Sequence, residues 1–279
     1  MALRATLSAT TRRLPLGSRG LASALARTSN AVRSDWTRAE VQAVYDQPLL
    51  ELIRDAGACH RAHWDSRDVQ QCTLLSIKTG GCTEDCGCCS QSVRHKTHVK
   101  PTKQLPVEEV VESARRAKAA GSTRFCMGAA WRELGNKKKA FREILEMVSR
   151  VNAEGLEVCA TLGMLNPEQA KQLKEAGLHA YNHNLDTSPD YYGEIITTRT
   201  YSDRLETLDT VRDAGMKVCS GGILGMGEGA QDRSALLQQL ANSFVLVVEL
   251  ITGLCNQDGI IHPLSHCQQI GITEDRLRT

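Results

Sequence analysis

From Val107 onward the chain switches back and forth between two periodicities. Val107, Val110, Val111, Ala114 and Ala117 fall on one face of a helix, as do Leu205, Leu208, Val211 and Ala214, and each stretch is followed by a short apolar run. The junction between the two recurs in KAAGSTRFCMG, NAEGLEVCATLG, KEAGLHAYNHN and RDAGMKVCSGG. Its glycines, Gly121, Gly155, Gly177 and Gly215, stand where a helix end calls for a left-handed residue. The pattern predicts strands over 72–77, 123–127, 157–162, 179–185 and 216–223, with a sixth over 244–251. Helices alternating with buried strands imply an α/β fold on a parallel sheet, either open and doubly wound or closed as a (β/α) barrel. An eight-stranded barrel needs more chain than these units supply.

The repeat also aligns side chains. Counted from the glycines, Cys126 is five residues on and Cys159 and Cys219 are four, while the unit after Gly177 places Tyr181 and Asn182 there. Equivalent positions on the strands of a barrel face one another across its interior, so three thiols are expected in one layer. The plain alternative is three small buried side chains, a common use of cysteine.

A second group of thiols lies in GGCTEDCGCCSQS, directly after the strand-like CTLLSIKTG. Structural zinc asks for two separated ligand pairs, and four thiols crowded between Cys82 and Cys89 hardly wrap one ion. Cys88 and Cys89 are adjacent, so both binding one metal would strain the backbone. Without Cys88 the spacing is CxxxCxxC, and three thiolates can hold three irons of a cubane and leave the fourth open.

That motif, with TLLSIKTGGCTEDC, FCMGAAWR, YNHNLDTS, EIITTRTY, RLETLDTVRDAGMKVCSGGI, PLLELI and CHRAHWD, resembles the biotin synthases of the radical S-adenosylmethionine (radical SAM) superfamily. The resemblance runs from about Ser34 to Ser243. It implies a (β/α)8 TIM barrel of the radical SAM type, incomplete here at about five to six βα units. It also implies conversion of dethiobiotin to biotin with S-adenosylmethionine, a 4Fe-4S cluster and a sulfur-donating 2Fe-2S cluster. A ferredoxin or flavodoxin system is the implied electron donor, and a homodimer the implied assembly of a complete chain.

Residue by residue, Cys82, Cys86 and Cys89 match the 4Fe-4S ligands, and Cys126, Cys159 and Cys219 match three 2Fe-2S ligands and the catalytic sulfur site. Asn184 and Asp186 match ribose contacts between the two substrates. Arg204 matches the arginine near the methionine carboxylate, where a fixed cation suits an anion. The bland readings are a solvated helix face for Arg204 and a helix N-cap for Asp186. His179 and His183 share one face of a strand and are read as hydrogen-bonded interior histidines. Lys137 to Lys139 form a charge run in a surface turn, and Cys59 and Cys72 have no partner spacing.

Composition changes the picture at the two ends. Residues 1–33 carry six arginines and no acid among many Ser and Thr, the signature of a mitochondrial transit peptide; a disordered basic tail is the plainer reading. Removing those arginines takes the formal charge from +2 to −4, so a nucleic-acid-seeking surface is not expected. No apolar run reaches the roughly 18 residues of a membrane span. Eleven cysteines spread through a chain without a secretory leader point to thiol, metal or cluster chemistry rather than disulfides.

Two departures from the resemblance stand out. Cys88 occupies a place where the superfamily usually has an aromatic residue near the adenine. Beyond Ser243, residues 244–279 read as an unrelated tail, and the family's closing strands, an arginine on its 2Fe-2S cluster and much of its dethiobiotin pocket have no counterpart there. The domain is thus expected over 34–243, with Phe244 to Leu250 as an apolar run on an open edge. Cys255, His262, His266 and Cys267 read as a chance assortment rather than a zinc site. The competing functional readings are an inactive truncated fragment that holds at most the 4Fe-4S cluster, and a related radical enzyme with another substrate.

Overall fold

The computed structural model describes residues 33–243, together with the backbone of segments 247–255, 261–263 and 270–271. Residues 1–32 of the expected leader, and His266 and Cys267, lie outside the described residues. Two helices, α1 (Arg38–Tyr45) and α2 (Leu49–His63), precede the sheet. The repeating units then follow as β1 (Cys72–Lys78), α3 (Val107–Ala119), β2 (Arg124–Ala129), α4 (Lys138–Ala153), β3 (Glu157–Thr161) and α5 (Pro167–Glu175). They continue with β4 (Ala180–Asn182), α6 (Tyr192–Ile195), α7 (Tyr201–Asp213), β5 (Lys217–Leu224), α8 (Ala230–Asn242) and β6 (Val247–Cys255).

Strands β1 to β6 pair in parallel and in chain order. This is an arc of an incomplete (β/α) barrel. The expected sixth strand is present over Val247–Cys255, and residues 244–246 of the apolar run lie outside the described residues. Its outer edge is not bare: β7 (Ile261–Pro263) and β8 (Ile270–Gly271) pair with β6 antiparallel. The β6–β7 hairpin sets Leu254 opposite His262 and Cys255 opposite Ile261, so a strand pattern does exist where the sequence suggested none.

All four repeat glycines are left-handed, with φ of 97°, 80°, 96° and 74° at Gly121, Gly155, Gly177 and Gly215. At Gly177 the reason is visible in the hydrogen bonds. Its N–H reaches the Lys174 carbonyl at 3.0 Å and that of Leu178 reaches Leu173 at 2.9 Å, the paired closure of a Schellman end. Leu178 and Leu173 are both buried, so each helix stop also aims the next strand into the core.

The strands have two different faces. Phe125, Met127, Val158, Ala160, Tyr181 and Val218 join residues of α3, α4, α5, α7 and α8 in one large apolar core outside the sheet. Burying roughly six such side chains is worth about 10 kcal/mol on transfer alone, which is what fixes the register. The opposite parity lines the interior. There Cys126, Cys159 and Ala180, with Cys72 against them, form a separate small cluster. Below it, the buried Arg124 pairs with Glu157 at 2.7 Å, and Gln70 donates to the same carboxylate at 3.0 Å. The interior is open toward β1, where the inward-facing Leu74 is 73% exposed.

Candidate functional site

The CxxxCxxC loop springs from the C-terminal end of β1 through the left-handed Gly80 and Gly81. It closes on itself: Cys82 N–H donates to the Gln91 carbonyl at 3.1 Å, Val93 N–H to that of Cys82 at 2.8 Å, and Cys89 N–H to that of Cys86 at 3.0 Å. Its two acidic residues then tie it to residues 195–199, more than 100 positions away. Arg199 donates to the Glu84 carboxylate at 2.6 and 2.8 Å, with both side chains buried, and the Thr198 hydroxyl bonds the other carboxylate oxygen. Asp85 accepts from the N–H groups of Thr197 and Thr198 at 3.0 and 3.1 Å, and Gly87 N–H donates to the Ile195 carbonyl at 2.9 Å. CTEDC is therefore a clamp as well as a ligand motif.

Cys82, Cys86, Cys88 and Cys89 are half-buried. Burial, and then the nearby Asp186 carboxylate, push the Cys86 thiol up to about 12; burial also raises Cys88 and Cys89. Cys86 and Cys89 are thereby held as protonated thiols near neutral pH, so taking up iron through them must release protons.

Beside the loop stand the three residues expected to bind a cofactor. Arg204 pairs with Asp186 at 2.6 Å and donates to the Asn184 carbonyl at 2.6 Å and the Tyr192 hydroxyl at 3.0 Å. Its Nη2 lies 3.8 Å from Cys86 Sγ. Arg204 is thus buried rather than a solvated face, and Asp186 is an ion-pair partner rather than an N-cap. Burial raises the Asp186 carboxyl, and the adjacent guanidinium is what offsets that cost. Asp186 adopts φ of 65°, which lets its N–H donate to Gly221 at 3.1 Å and its carbonyl accept from Ile223 at 2.8 Å. Gly222 makes room for this bridge: a Cβ there would meet the Asp186 carbonyl oxygen at 2.8 Å. A non-glycine residue held at positive φ at the centre of a site is backbone strain kept where geometry matters.

Beneath this group run the strand thiols. Cys126 and Cys159 face each other in register, whereas Cys219 is level with Asn182, so the expected single layer is a slanted row. The stagger of barrel strands accounts for the slant. Cys72 packs against the pair Cys126 and Cys159, and Asn182 Nδ2 donates to Cys219 Sγ at 3.2 Å. Tyr181 does not join them: it points into the outer core, donating to the Gly163 carbonyl at 2.6 Å.

The sequence reading gave Cys72 no partner, whereas it packs against Cys126 and Cys159. The reading also missed the Glu84–Arg199 pair. His183 is buried with Nε2 at 3.4 Å from Arg199, and burial with Arg204 and Arg199 holds it neutral. His179 lies at the other end of β4, 3.2 Å from Glu157, so the two histidines do not share a site. Lys137 donates to the Glu133 carbonyl at 2.9 Å in the turn before α4, and Cys59 is exposed on α2.

A sequence profile of the radical SAM superfamily matches residues 76–240, the segment that carries the clamp loop, Asn184, Asp186, Arg204 and the strand thiols after Cys72. The chain belongs to the radical SAM superfamily. Among curated relatives it is 60% identical over 210 residues to a biotin synthase of Schizosaccharomyces pombe and 56% identical over 209 residues to a mitochondrial biotin synthase of Arabidopsis thaliana. Each match takes in 75% of this chain but 58% and 55% of the relatives, so the chain spans little more than half their length. Among solved structures, methylornithine synthase (PylB) superposes with a TM-score of 0.64 at 17% identity, over 95% of this chain and 72% of that one, a likeness of fold.

Radical SAM membership implies S-adenosylmethionine and a 4Fe-4S cluster. The donor set fits the cluster: three half-buried thiols on one braced loop, with a fixed guanidinium against one of them. Among the described residues no three His, Cys, Asp or Glu side chains surround a single point closely enough for one ion. A cubane, which takes each thiolate on a different iron, does not require that they do.

Proposed function

We propose that this chain is the radical SAM core of a biotin synthase, acting on dethiobiotin. The observation that carries the reading is the stacking of two thiol sets on one sheet, the loop set beside Asn184, Asp186 and Arg204, and the strand set directly below it in the interior. In this reading Cys82, Cys86 and Cys89 hold the 4Fe-4S cluster, and Cys126, Cys159 and Cys219 hold a 2Fe-2S cluster. When bound, the clusters and S-adenosylmethionine supply a 5′-deoxyadenosyl radical for unactivated C–H bonds and the sulfur that replaces the hydrogens.

The protein's part is to bind, orient and exclude water. Arg204, already fixed by Asp186, Asn184 and Tyr192, presents its charge to the methionine carboxylate without having to be ordered. Asn184 and the Asp186 carboxylate accept from ribose hydroxyls. Dethiobiotin would sit in the barrel interior below them, between the two thiol sets. A ferredoxin or flavodoxin system delivers electrons, and the complete enzyme is a homodimer. Mitochondrial location is supported by the basic, acid-free residues 1–33 and by the location in the name of the Arabidopsis relative.

The deciding assay is anaerobic, with reconstituted chain, S-adenosylmethionine, reductant and dethiobiotin. Deoxyadenosine together with biotin is the expected result. Deoxyadenosine alone would leave a loop site without a working sulfur site, the fragment reading, and neither product would defeat the proposal.

A further inference from the structure

We propose that the basic strap over residues 93–105 is the docking surface for an acidic one-electron carrier protein, and the place where electrons enter the loop site. The inference rests on reading Cys82, Cys86 and Cys89 as the 4Fe-4S ligands.

From Cys86 to Val107 the chain has no acid, yet it carries Arg94, Lys96, Lys100 and Lys103. Without the six arginines of residues 1–33 the formal charge is −4, so the strap is a local reversal of sign. Burial alternates along it: His95, Thr97 and Val99 are half-buried, while Arg94, Lys96, His98 and Lys100 are exposed. An extended segment with this period has two faces. The inward face is fastened to the thiol loop. His95 Nε2 donates to the Cys86 carbonyl at 2.9 Å, the Thr97 hydroxyl donates to the Ser90 carbonyl at 2.7 Å, and Val99 and Pro101 lie against Gly80. The strap then closes onto β1, with Thr102 N–H on the Thr79 carbonyl at 2.9 Å and Leu105 N–H on that of Ile77 at 2.8 Å. Its outward face is a row of cations, and among the described residues none of the four pairs with a carboxylate. Lys103 extends the row into a groove of about 850 Å³ shared with Lys137, Lys138 and Lys139, whose acids are Glu143 and Glu146. At the other end Val93 is 60% exposed, an apolar contact beside the charges.

Cations left without partners call for an anionic surface, and their place says which kind. Electron transfer falls off steeply with distance, so a carrier must sit next to the cluster it reduces. The carbonyl groups of Cys82 and Cys86 are each one hydrogen bond from the strap, through Val93 N–H at 2.8 Å and His95. The Cys86 thiol instead faces Arg204, where S-adenosylmethionine is placed. A carrier on the strap therefore reaches the loop without displacing the cofactor. One electron leaves the carrier, which is oxidised, and enters the loop cluster, which is reduced; no bond forms and no proton moves. Such an encounter is small and salt-sensitive.

The probe is reduced plant-type 2Fe-2S ferredoxin, an acidic carrier, tested on the full chain. Lys96→Glu with Lys100→Glu reverses two exposed charges that hold no other group among the described residues, so the fold should be kept, and apo melting curves check this. Arg67→Glu with Lys171→Glu makes the same charge change before β1 and on α5. At low salt the strap variant should bind ferredoxin about ten-fold more weakly as apo chain, with reduction of the reconstituted loop cluster, followed by its electron paramagnetic resonance, slowed to match. Added salt should erase the difference, the control pair should change little, and reduction by photoreduced deazaflavin, a small neutral donor, should be unchanged in all. Equal losses in the two variants, or none in either, would overturn the proposal. So would binding of a DNA duplex or of phosphatidylserine vesicles that is lost in the strap variant while ferredoxin reduction persists, since the strap would then serve a nucleic acid or a membrane. A parent that deazaflavin cannot reduce would defeat the reading of the loop as a cluster site, and the proposal with it.

Discussion

The loop thiols and the strand thiols are positioned by opposite means. Cys126, Cys159 and Cys219 stand on hydrogen-bonded strands whose register is locked by an apolar core on the far face, so their positions follow from pairing alone. Cys82, Cys86 and Cys89 have no such frame. They hang from a glycine turn and are held by side chains, the Glu84–Arg199 pair and the Asp85 bonds to Thr197 and Thr198, from a segment that arrives after α6. A site on strands is robust to loss of a polar contact. A site on a loop is only as firm as its clamp.

The largest effect should therefore come from cutting the clamp. Arg199→Met leaves the Glu84 carboxylate buried without its main partner, which typically costs 3–5 kcal/mol. Arg132 remains 3.3 Å away, so we expect the low end, about 3 kcal/mol. Urea unfolding of the apo chain measures the stability loss. Iron content after reconstitution should fall at the loop site while the strand site keeps its iron, and equal losses at both would show that the two sets are not held independently.

A smaller effect is expected where the two regions meet. In Gly222→Ala the new methyl would sit 2.4 Å from Leu236 Cδ2 and 2.8 Å from the Asp186 carbonyl oxygen. Overpacking of this kind costs about 1–3 kcal/mol. It should weaken binding of S-adenosylmethionine, measured by equilibrium titration, by displacing Asp186 and with it Arg204. Iron at Cys82, Cys86 and Cys89 should be untouched. Unchanged binding would mean that the Asp186 bridge to β5 does not set the cofactor site.

What could be read from the sequence was what is local. The helix stops were legible because a Schellman end is decided by one glycine and its neighbours, and the strands followed from those stops. Cys126, Cys159 and Cys219 could be aligned because each follows such a glycine at nearly constant spacing. Cys72 could not, because no helix and glycine precede β1 to set its register against β2. The apolar pattern of α7 pointed to Leu205, Leu208, Val211 and Ala214, yet its buried face is Arg204, Thr207, Leu208 and Val211. An ion pair rotates that face toward the site, and apolar periodicity cannot register a buried charge. Glu84 and Arg199 are joined only by the fold.

The smallest expected effect concerns the one loop thiol that neither region requires. Cys88 neighbours Cys89 directly, and one cubane cannot take both without straining the peptide between them. Burial holds the Cys88 thiol protonated, with the Asp186 carboxylate and the nearby thiols pushing the same way. Cys88→Ser should thus leave iron and sulfide content unchanged and alter the visible spectrum little, while Cys89→Ser should abolish the loop cluster. The difference between these neighbours tests the clamp as well as the spacing. The Cys89 N–H is tied to the Cys86 carbonyl at 3.0 Å and Gly87 to Ile195 at 2.9 Å, which fixes which thiols the turn offers to iron. Equal losses from the two substitutions would mean that the loop rearranges on binding and that its bracing in the apo chain does not select the ligands.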